Sequence, residues 1–187
     1  TVSTLAEARY FAAGGFKDIF YAVGIVPSKL PAVSALRRQG VNLRVVTDNL
    51  PVARAIAEAG RAGSSFSVFV EIDSGAGRAG LPYPDLSALI DIARTLHEAP
   101  NVELAGVMTH GGHSYHENTV AGIRRAADQE RTAVTAAAKM LREAGLPCPI
   151  VSAGSTPTAM HAAAFDGITE MRPGVYVFND LDQVGIG

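Results

Sequence analysis

The chain has 187 residues, of which 48% are hydrophobic, and its formal net charge at pH 7 is -2. This length allows one globular core, and the near-neutral charge argues against a nucleic-acid partner. No apolar run reaches about 18 residues and no basic segment precedes an apolar one, so we predict neither a membrane span nor a signal peptide. Cys148 is the single cysteine, which excludes an internal disulfide and is typical of a cytoplasmic protein.

Strand patterns and helix patterns alternate along the chain. Seven segments predict strands, and six of them are followed by a predicted helix; the strand segments are 1–3, 18–23, 42–47, 66–72, 103–108, 149–152 and 170–178. Thr4 and Glu7 predict a capping box for the first helix, while Gly40 and Gly145 end later ones. Strict alternation of this kind predicts an α/β fold with a parallel sheet.

Seven strands are one fewer than a closed (β/α)₈ TIM-type barrel contains. The first strand is cut at Thr1, so we expect the missing one to lie upstream and residues 1–187 to supply strands two to eight of one barrel domain. The alternative is an open doubly wound sheet, which normally carries a glycine-rich turn after its first strand. Residues 4–7 contain no glycine, which favours the barrel.

Residues 151–158, with the sequence VSAGSTPT, resemble a phosphate-binding turn between a strand and a short helix predicted over 159–164. Gly154 lets the backbone approach a ligand, and Ser155 and Thr156 offer hydroxyl and amide N–H groups. Pro157 suits a first helical turn. On the barrel count this turn follows strand seven, where barrels commonly bind phosphate. An ordinary Ser/Thr helix cap is the alternative.

Polar side chains collect just after the predicted strands, where barrel enzymes place their chemistry. They are Asp73, Arg78, Thr109, His110, Ser155, Thr156 and Asn179. His110, His113 and His116 could bind a metal, or His110 and Tyr115 could contact a flat cofactor ring. Tyr176, predicted inside the last strand, is either a core residue or a partner for a phosphate oxygen.

Five segments together resemble the pyridoxal-phosphate enzymes with an alanine-racemase-like barrel (fold type III). Within these, the resemblance is to the branch of D-serine dehydratase, D-threo-3-hydroxyaspartate dehydratase and D-threonine aldolase. The segments are 2–8 (VSTLAEA), 71–80 (EIDSGAGRAG), 109–115 (THGGHSY), 152–158 (SAGSTPT) and 172–176 (RPGVY).

The resemblance implies that Gly154, Ser155 and Thr156 hold the cofactor phosphate with help from Tyr176. His110 and Tyr115 would contact the ring, and Arg78 would lie near the ring or the substrate carboxylate. These enzymes carry a Schiff-base lysine at the end of strand one, a place that none of Lys17, Lys29 and Lys139 occupies, so we expect that lysine upstream of this chain. A divalent metal, zinc, would bind in a C-terminal β-domain outside it.

The activity implied is that of a pyridoxal-phosphate-dependent carbon–oxygen lyase. It would convert a D-3-hydroxy amino acid, such as D-serine or D-threo-3-hydroxyaspartate, into an oxo acid and ammonia, and the full-length protein would be a cytoplasmic homodimer. Alternatives on the same barrel are a D-threonine-aldolase-type lyase, an amino-acid racemase and a non-catalytic pyridoxal-phosphate homeostasis protein. A metal-dependent hydrolase using His110, His113 and His116 is the alternative without this cofactor.

Overall fold

A computed structural model describes residues 1–178 of the chain. The strands in chain order are β1 (Asp18–Gly24), β2 (Asn42–Thr47), β3 (Phe66–Asp73), β4 (Leu81–Pro82), β5 (Val102–Thr109), β6 (Ile150–Ala153) and β7 (Glu170–Met171). The α-helices are α1 (Leu5–Ala13), α2 (Leu30–Arg38), α3 (Leu50–Arg61), α4 (Leu89–His97), α5 (Val120–Glu143) and α6 (Thr156–His161). Over these residues no helix is long and apolar enough to cross a membrane.

The sheet is parallel, and its strands neighbour one another in the order β1-β2-β3-β5-β6-β7, with the short β4 paired to the end of β3. Val2 extends the order by one place, because it forms a parallel bridge to Tyr21 of β1. A doubly wound sheet reverses its strand order at a switch point, and no reversal occurs here. The barrel prediction is therefore confirmed: the described residues form part of a (β/α)-barrel wall with its helices outside.

Local sequence explains where the helices start. Thr4 and Glu7 form the predicted capping box of α1, and Asn49 and Thr119 cap α3 and α5 with their side chains. A 3₁₀ turn (Pro27–Lys29) comes directly before α2.

Strand alternation separates an outer core from the barrel interior. On β2, Leu43 and Val45 pack under the helices, whereas Arg44 and Val46 face inward. The inner apolar cluster is small and consists of Phe20, Val46, Phe69, Ala105 and Met108. Polar side chains share this interior, as the ion pair between Arg44 Nη1 and Glu170 Oε2 at 2.8 Å illustrates. The interior is therefore able to place charged groups under the carboxyl ends of the strands.

The strand predicted over 170–178 is wrong in its extent. Only Glu170–Met171 pairs with β6, and Val175–Val177 forms a 3₁₀ turn instead. Pro173 cannot donate to a sheet ladder, and the backbone N–H groups of Gly174 and Val175 donate to the Thr156 hydroxyl. The helix predicted over 159–164 begins earlier, at Thr156, because Ser155 caps it.

Candidate functional site

A cavity of about 740 Å³ opens at the carboxyl ends of the strands. Residues from the ends of β1, β3 and β5 line it, together with residues that follow β3, β5, β6 and β7; among them are Glu71, Arg78, Met108, His110, Gly154 and Arg172. This volume lies within the range of roughly 300–1,000 Å³ that is usual for small-molecule sites. The predicted residues Arg78, His110 and Gly154 therefore share one cavity.

His110 directly follows β5 and is half-buried. Its Nδ1 lies 3.2 Å from the carbonyl oxygen of Gly154, and burial lowers the pKa of the imidazole below its usual value. A carbonyl oxygen only accepts hydrogen bonds, so the neutral ring carries its proton on Nδ1. Nε2 is then a free acceptor on a side chain that lines the cavity.

Glu71 is a buried carboxylic acid near the end of β3, and it also lines the cavity. Burial, followed by the nearby charge of Asp48, raises the pKa of Glu71 to about 7, while Arg78 and Arg172 oppose the rise. An acid that titrates near neutrality inside a cavity suits proton transfer or charge adjustment. The sequence signal for it was a charged residue in a strand that otherwise reads as apolar.

Arg172 follows β7 and reaches into the barrel interior. Its guanidinium donates to the hydroxyl of Ser152 and to the carbonyl oxygen of Thr109, and it lies 5.7 Å from the centre of the Phe20 ring. Burial lowers the pKa of Arg172, and the carboxylates of Glu130, Glu170 and Glu71 counteract that effect. The side chain thus joins the strand ends into one charged network beneath the cavity.

The turn after β6 is buried, and its two hydroxyls are used within the protein. Ser155 forms a capping box with Thr158, in which the Ser155 N–H donates to Thr158 Oγ1 at 3.0 Å. Thr156 Oγ1 accepts from the N–H groups of Gly174 at 3.2 Å and Val175 at 3.0 Å. The helix-cap alternative is therefore confirmed for Ser155, while three polar groups converge at Thr156.

Gly154 shows why glycine is needed in this turn. Its φ is +119°, and a Cβ placed there would lie 2.9 Å from the backbone nitrogen of Arg172. Both the backbone conformation and the close approach of the β7 segment therefore require a residue without a side chain.

The two tyrosines of the predicted site are exposed. Tyr115 is in a 3₁₀ turn (Gly112–His116), 41% exposed, with its ring centre 6.4 Å from that of His110. Tyr176 is 59% exposed in the last 3₁₀ turn, so it is not a core residue of a strand. Asn179, also predicted at a strand end, lies outside the described residues.

The histidine loop does not assemble a metal site. Among residues 1–178, no group of three or more His, Cys, Asp or Glu side chains is arranged to hold a metal ion. His113 Nε2 instead lies 3.1 Å from Gln129 Oε1, and His116 is exposed. The hydrolase alternative, which needed His110, His113 and His116 together, is therefore not supported.

Asp73 and Thr109 support the loops around the site. Asp73 accepts hydrogen bonds from the backbone N–H groups of Gly75, Ala76 and Gly77 at 2.8–3.1 Å. The hydroxyl of the buried Thr109 lies 3.0 Å from Ser74 Oγ. Both predicted polar residues therefore hold the loop that carries Arg78.

Comparison with known proteins places these features in a wider group. A family model described as alanine racemase, N-terminal domain, matches residues 1–182. The D-threo-3-hydroxyaspartate dehydratase of Delftia sp. (strain HT23) is 48% identical over 188 residues, which cover 100% of this chain and 49% of that protein. Its structure superposes with a TM-score of 0.95 at 47% identity, covering 98% of this chain and 48% of that one. A variant of that enzyme has been solved in a metal-free form.

Two further relatives carry other names. The D-serine dehydratase of Dictyostelium discoideum is 32% identical over 198 residues, covering 100% of this chain and 50% of that protein. A D-threonine aldolase from Arthrobacter sp. is 31% identical over 180 residues, covering 95% and 47%. The chain thus spans about half the length of these relatives.

Proposed function

Since the chain belongs to the alanine racemase N-terminal domain family, we propose that it forms the cofactor-binding barrel of a pyridoxal-phosphate-dependent dehydratase acting on a D-3-hydroxy amino acid. The observation that carries this proposal is its 48% identity, over the whole chain, to a D-threo-3-hydroxyaspartate dehydratase. The aldolase relative is 31% identical, so retro-aldol cleavage is the second candidate. Because the alignment covers about half of each relative, the chain is proposed as one domain of the enzyme.

The residues of the cavity fit a phosphorylated aromatic cofactor. The volume of the cavity is sufficient for such a cofactor, and Arg78 and Arg172 supply positive charge along the cavity lining. Gly154 keeps one wall free of a side chain, since a Cβ there would meet Arg172. When bound, pyridoxal phosphate supplies an electron sink for the negative charge that develops at the substrate Cα.

We place the cofactor phosphate at the point where polar groups converge on Thr156. The N–H groups of Gly174 and Val175 both point at its hydroxyl oxygen, and an anion could accept from the same donors. Tyr176 follows directly and is exposed enough to turn its hydroxyl towards that point. Gly154 and Ser155 shape this site, because their own N–H groups already donate to Glu130 and Thr158.

His110 and Arg78 are assigned to the ring and the substrate. With its proton held on Nδ1 by Gly154, His110 offers the Nε2 lone pair to the cavity, where it accepts a hydrogen bond or a proton. Arg78 is exposed at the mouth and suits a substrate carboxylate. Tyr115 stands beside His110 and would border the ring. The covalent lysine and a divalent metal, which we take to be zinc, are proposed on residues outside this chain.

The experiment that tests the function is a product assay on the full-length protein. D-threo-3-hydroxyaspartate, D-serine and D-threonine are supplied separately, and ammonia, oxo acid and glycine are measured. A dehydratase releases ammonia and oxo acid in equal amounts, whereas a retro-aldol enzyme releases glycine and an aldehyde. Glycine as the main product would refute the dehydratase proposal and favour the aldolase. Loss of activity on treatment with a chelator, and its return when zinc is added, would support the metal assignment.

Cofactor binding is tested separately by absorbance. The purified full-length protein should show a visible band from pyridoxal phosphate. Borohydride should abolish this band by reducing the C=N bond to a stable secondary amine, and peptide mapping should then find the label on a lysine outside residues 1–187. A protein with the band but without turnover on any substrate would be the homeostasis alternative. We propose a cytoplasmic homodimer for the full-length enzyme, which sizing by light scattering would check.

A further inference from the structure

Glu130 is a buried carboxylate on the long helix α5. The proposed function gives it no role in binding the cofactor or the substrate. Glu130 is 2% exposed and stands in the buried stripe of α5, where its neighbours along the stripe, Ala126, Ala127, Ala133 and Val134, are apolar. A carboxylate in such a place is costly unless hydrogen bonds stabilise its charged form. Its partners therefore indicate what the residue does.

Both hydrogen bonds of Glu130 go to backbone groups of the candidate site. Its Oε1 accepts from the N–H of Gly111 at 2.6 Å and from the N–H of Gly154 at 2.9 Å. Gly111 belongs to the loop after β5 and Gly154 to the turn after β6, so one oxygen atom ties two neighbouring strand ends together. The fit is close, because a Cβ on Gly111 would lie 3.0 Å from Glu130 Cδ.

These two bonds fix the histidine of the cavity. His110 precedes Gly111, and its Nδ1 lies 3.2 Å from the carbonyl oxygen of Gly154. Glu130, Gly111, His110 and Gly154 therefore form a closed ring of contacts between the two loops. Movement of either loop would break the ring, and the His110 side chain would lose the contact that sets its proton on Nδ1.

We propose that Glu130 is a positioning residue, which holds the loops after β5 and β6 in place so that His110 presents Nε2 to the cavity. This inference rests on the proposed function in one respect, namely that the cavity is the cofactor site. The loop geometry itself does not depend on that assignment.

The test compares three variants of the full-length protein. Glu130→Leu removes the oxygen that accepts both hydrogen bonds, and Glu130→Gln keeps an acceptor oxygen of similar position but removes the charge. Glu143→Gln is the control, because Glu143 lies exposed on the same helix and pairs with Lys139. The readouts are amide hydrogen exchange at Gly111 and Gly154, the NMR titration of His110, and pyridoxal-phosphate affinity.

We expect Glu130→Leu to speed exchange at the two glycine amides by at least about tenfold, since two buried donors lose their partner. Glu130→Gln should protect these amides almost as well as the original residue. Glu130→Gln should lower the pKa of His110 further, because the charge of Glu130 raises this pKa. The charges of Arg78 and Arg172, which remain, both lower it. The affinity for pyridoxal phosphate should fall more in the Leu variant than in the Gln variant.

Two results would overturn the inference. One is unchanged exchange at Gly111 and Gly154 in Glu130→Leu. The other is an equal loss in Glu130→Gln and Glu130→Leu across all readouts, which would show that the charge of Glu130, and not its hydrogen bonds to the two loops, matters. Failure of the proposed function would look different. The wild-type protein would then bind no pyridoxal phosphate, while the exchange and titration differences between the variants would remain.

Discussion

Replacing Glu71 by glutamine should change the pH dependence of folding in a defined direction. The pKa of Glu71 rises from 4.5 to about 7 in the folded protein, mainly because the carboxyl is buried. A raised pKa means that the folded state holds the proton more tightly than the unfolded state. The stabilisation that the protonated Glu71 carboxyl gives to the folded state is fully present below about pH 4.5, and it is lost as the pH rises through about 7.

The magnitude follows from the size of the pKa shift. One pKa unit corresponds to about 1.4 kcal/mol, so ionising Glu71 in its buried place costs the folded protein roughly 3 kcal/mol above about pH 8. Glutamine has nearly the same shape and cannot ionise. As the pH rises from about 4.5 to about 8, the free energy of unfolding of Glu71→Gln should therefore increase, relative to that of the wild type, by about that amount.

The assay is denaturant unfolding of the cofactor-free full-length protein at several pH values. Differences between the variant and the wild type are compared across pH, because this cancels the titration of groups that do not interact with Glu71. Glu58→Gln is the matched control, since it replaces an exposed carboxylate on α3 and should leave the pH dependence unchanged. Parallel stability curves for Glu71→Gln and the wild type would refute the reasoning.

Two further predictions concern the turn after β6. Gly154→Ala should destabilise the protein by about 2–4 kcal/mol, because φ is +119° and the new Cβ would lie 2.9 Å from backbone; Gly145→Ala, at φ +73° with open space, should cost only about 1 kcal/mol. Equal losses of unfolding free energy would show that the close approach does not matter. Thr156→Val should cost about 1–3 kcal/mol, because two backbone donors lose their acceptor. Thr95→Val, which removes only one solvent-exposed hydrogen bond to the carbonyl oxygen of Asp91, should cost far less. Thermal unfolding compares the two variants, and a neutral Thr156→Val would contradict the assignment.

Features that depend on near neighbours in sequence could be predicted from the sequence. Thr4 and Glu7 belong to one helical turn, so their capping box is visible in the residue spacing and appears in the structure. Gly154 was predicted for its backbone freedom, and it has a positive φ. The strand order could also be predicted, because parallel strands joined by single helices lie side by side in chain order.

Glu71 and Glu130 could have been suspected from sequence, because each is a charged residue in an apolar pattern. Their roles could not be read from it. Strand alternation assigns Glu71 to one face of the sheet. Its raised pKa depends on its burial in the folded protein and on the charge of Asp48, which Arg78 opposes. Periodicity places Glu130 on the buried face of α5 without saying which groups meet it there.

The sequence by itself determined the alternating α/β architecture, the helix caps and the residues that gather at the strand ends. These follow from periodicity and local backbone preference, which act over a few residues. Only the tertiary structure decided that the last strand stops at Met171 and that Tyr176 is exposed, because the Thr156 hydroxyl, 18 and 19 residues away, takes the N–H groups of Gly174 and Val175. It likewise joined Glu130 to amides 19 and 24 residues away, since hydrogen bonds between distant segments form only where packing brings them together.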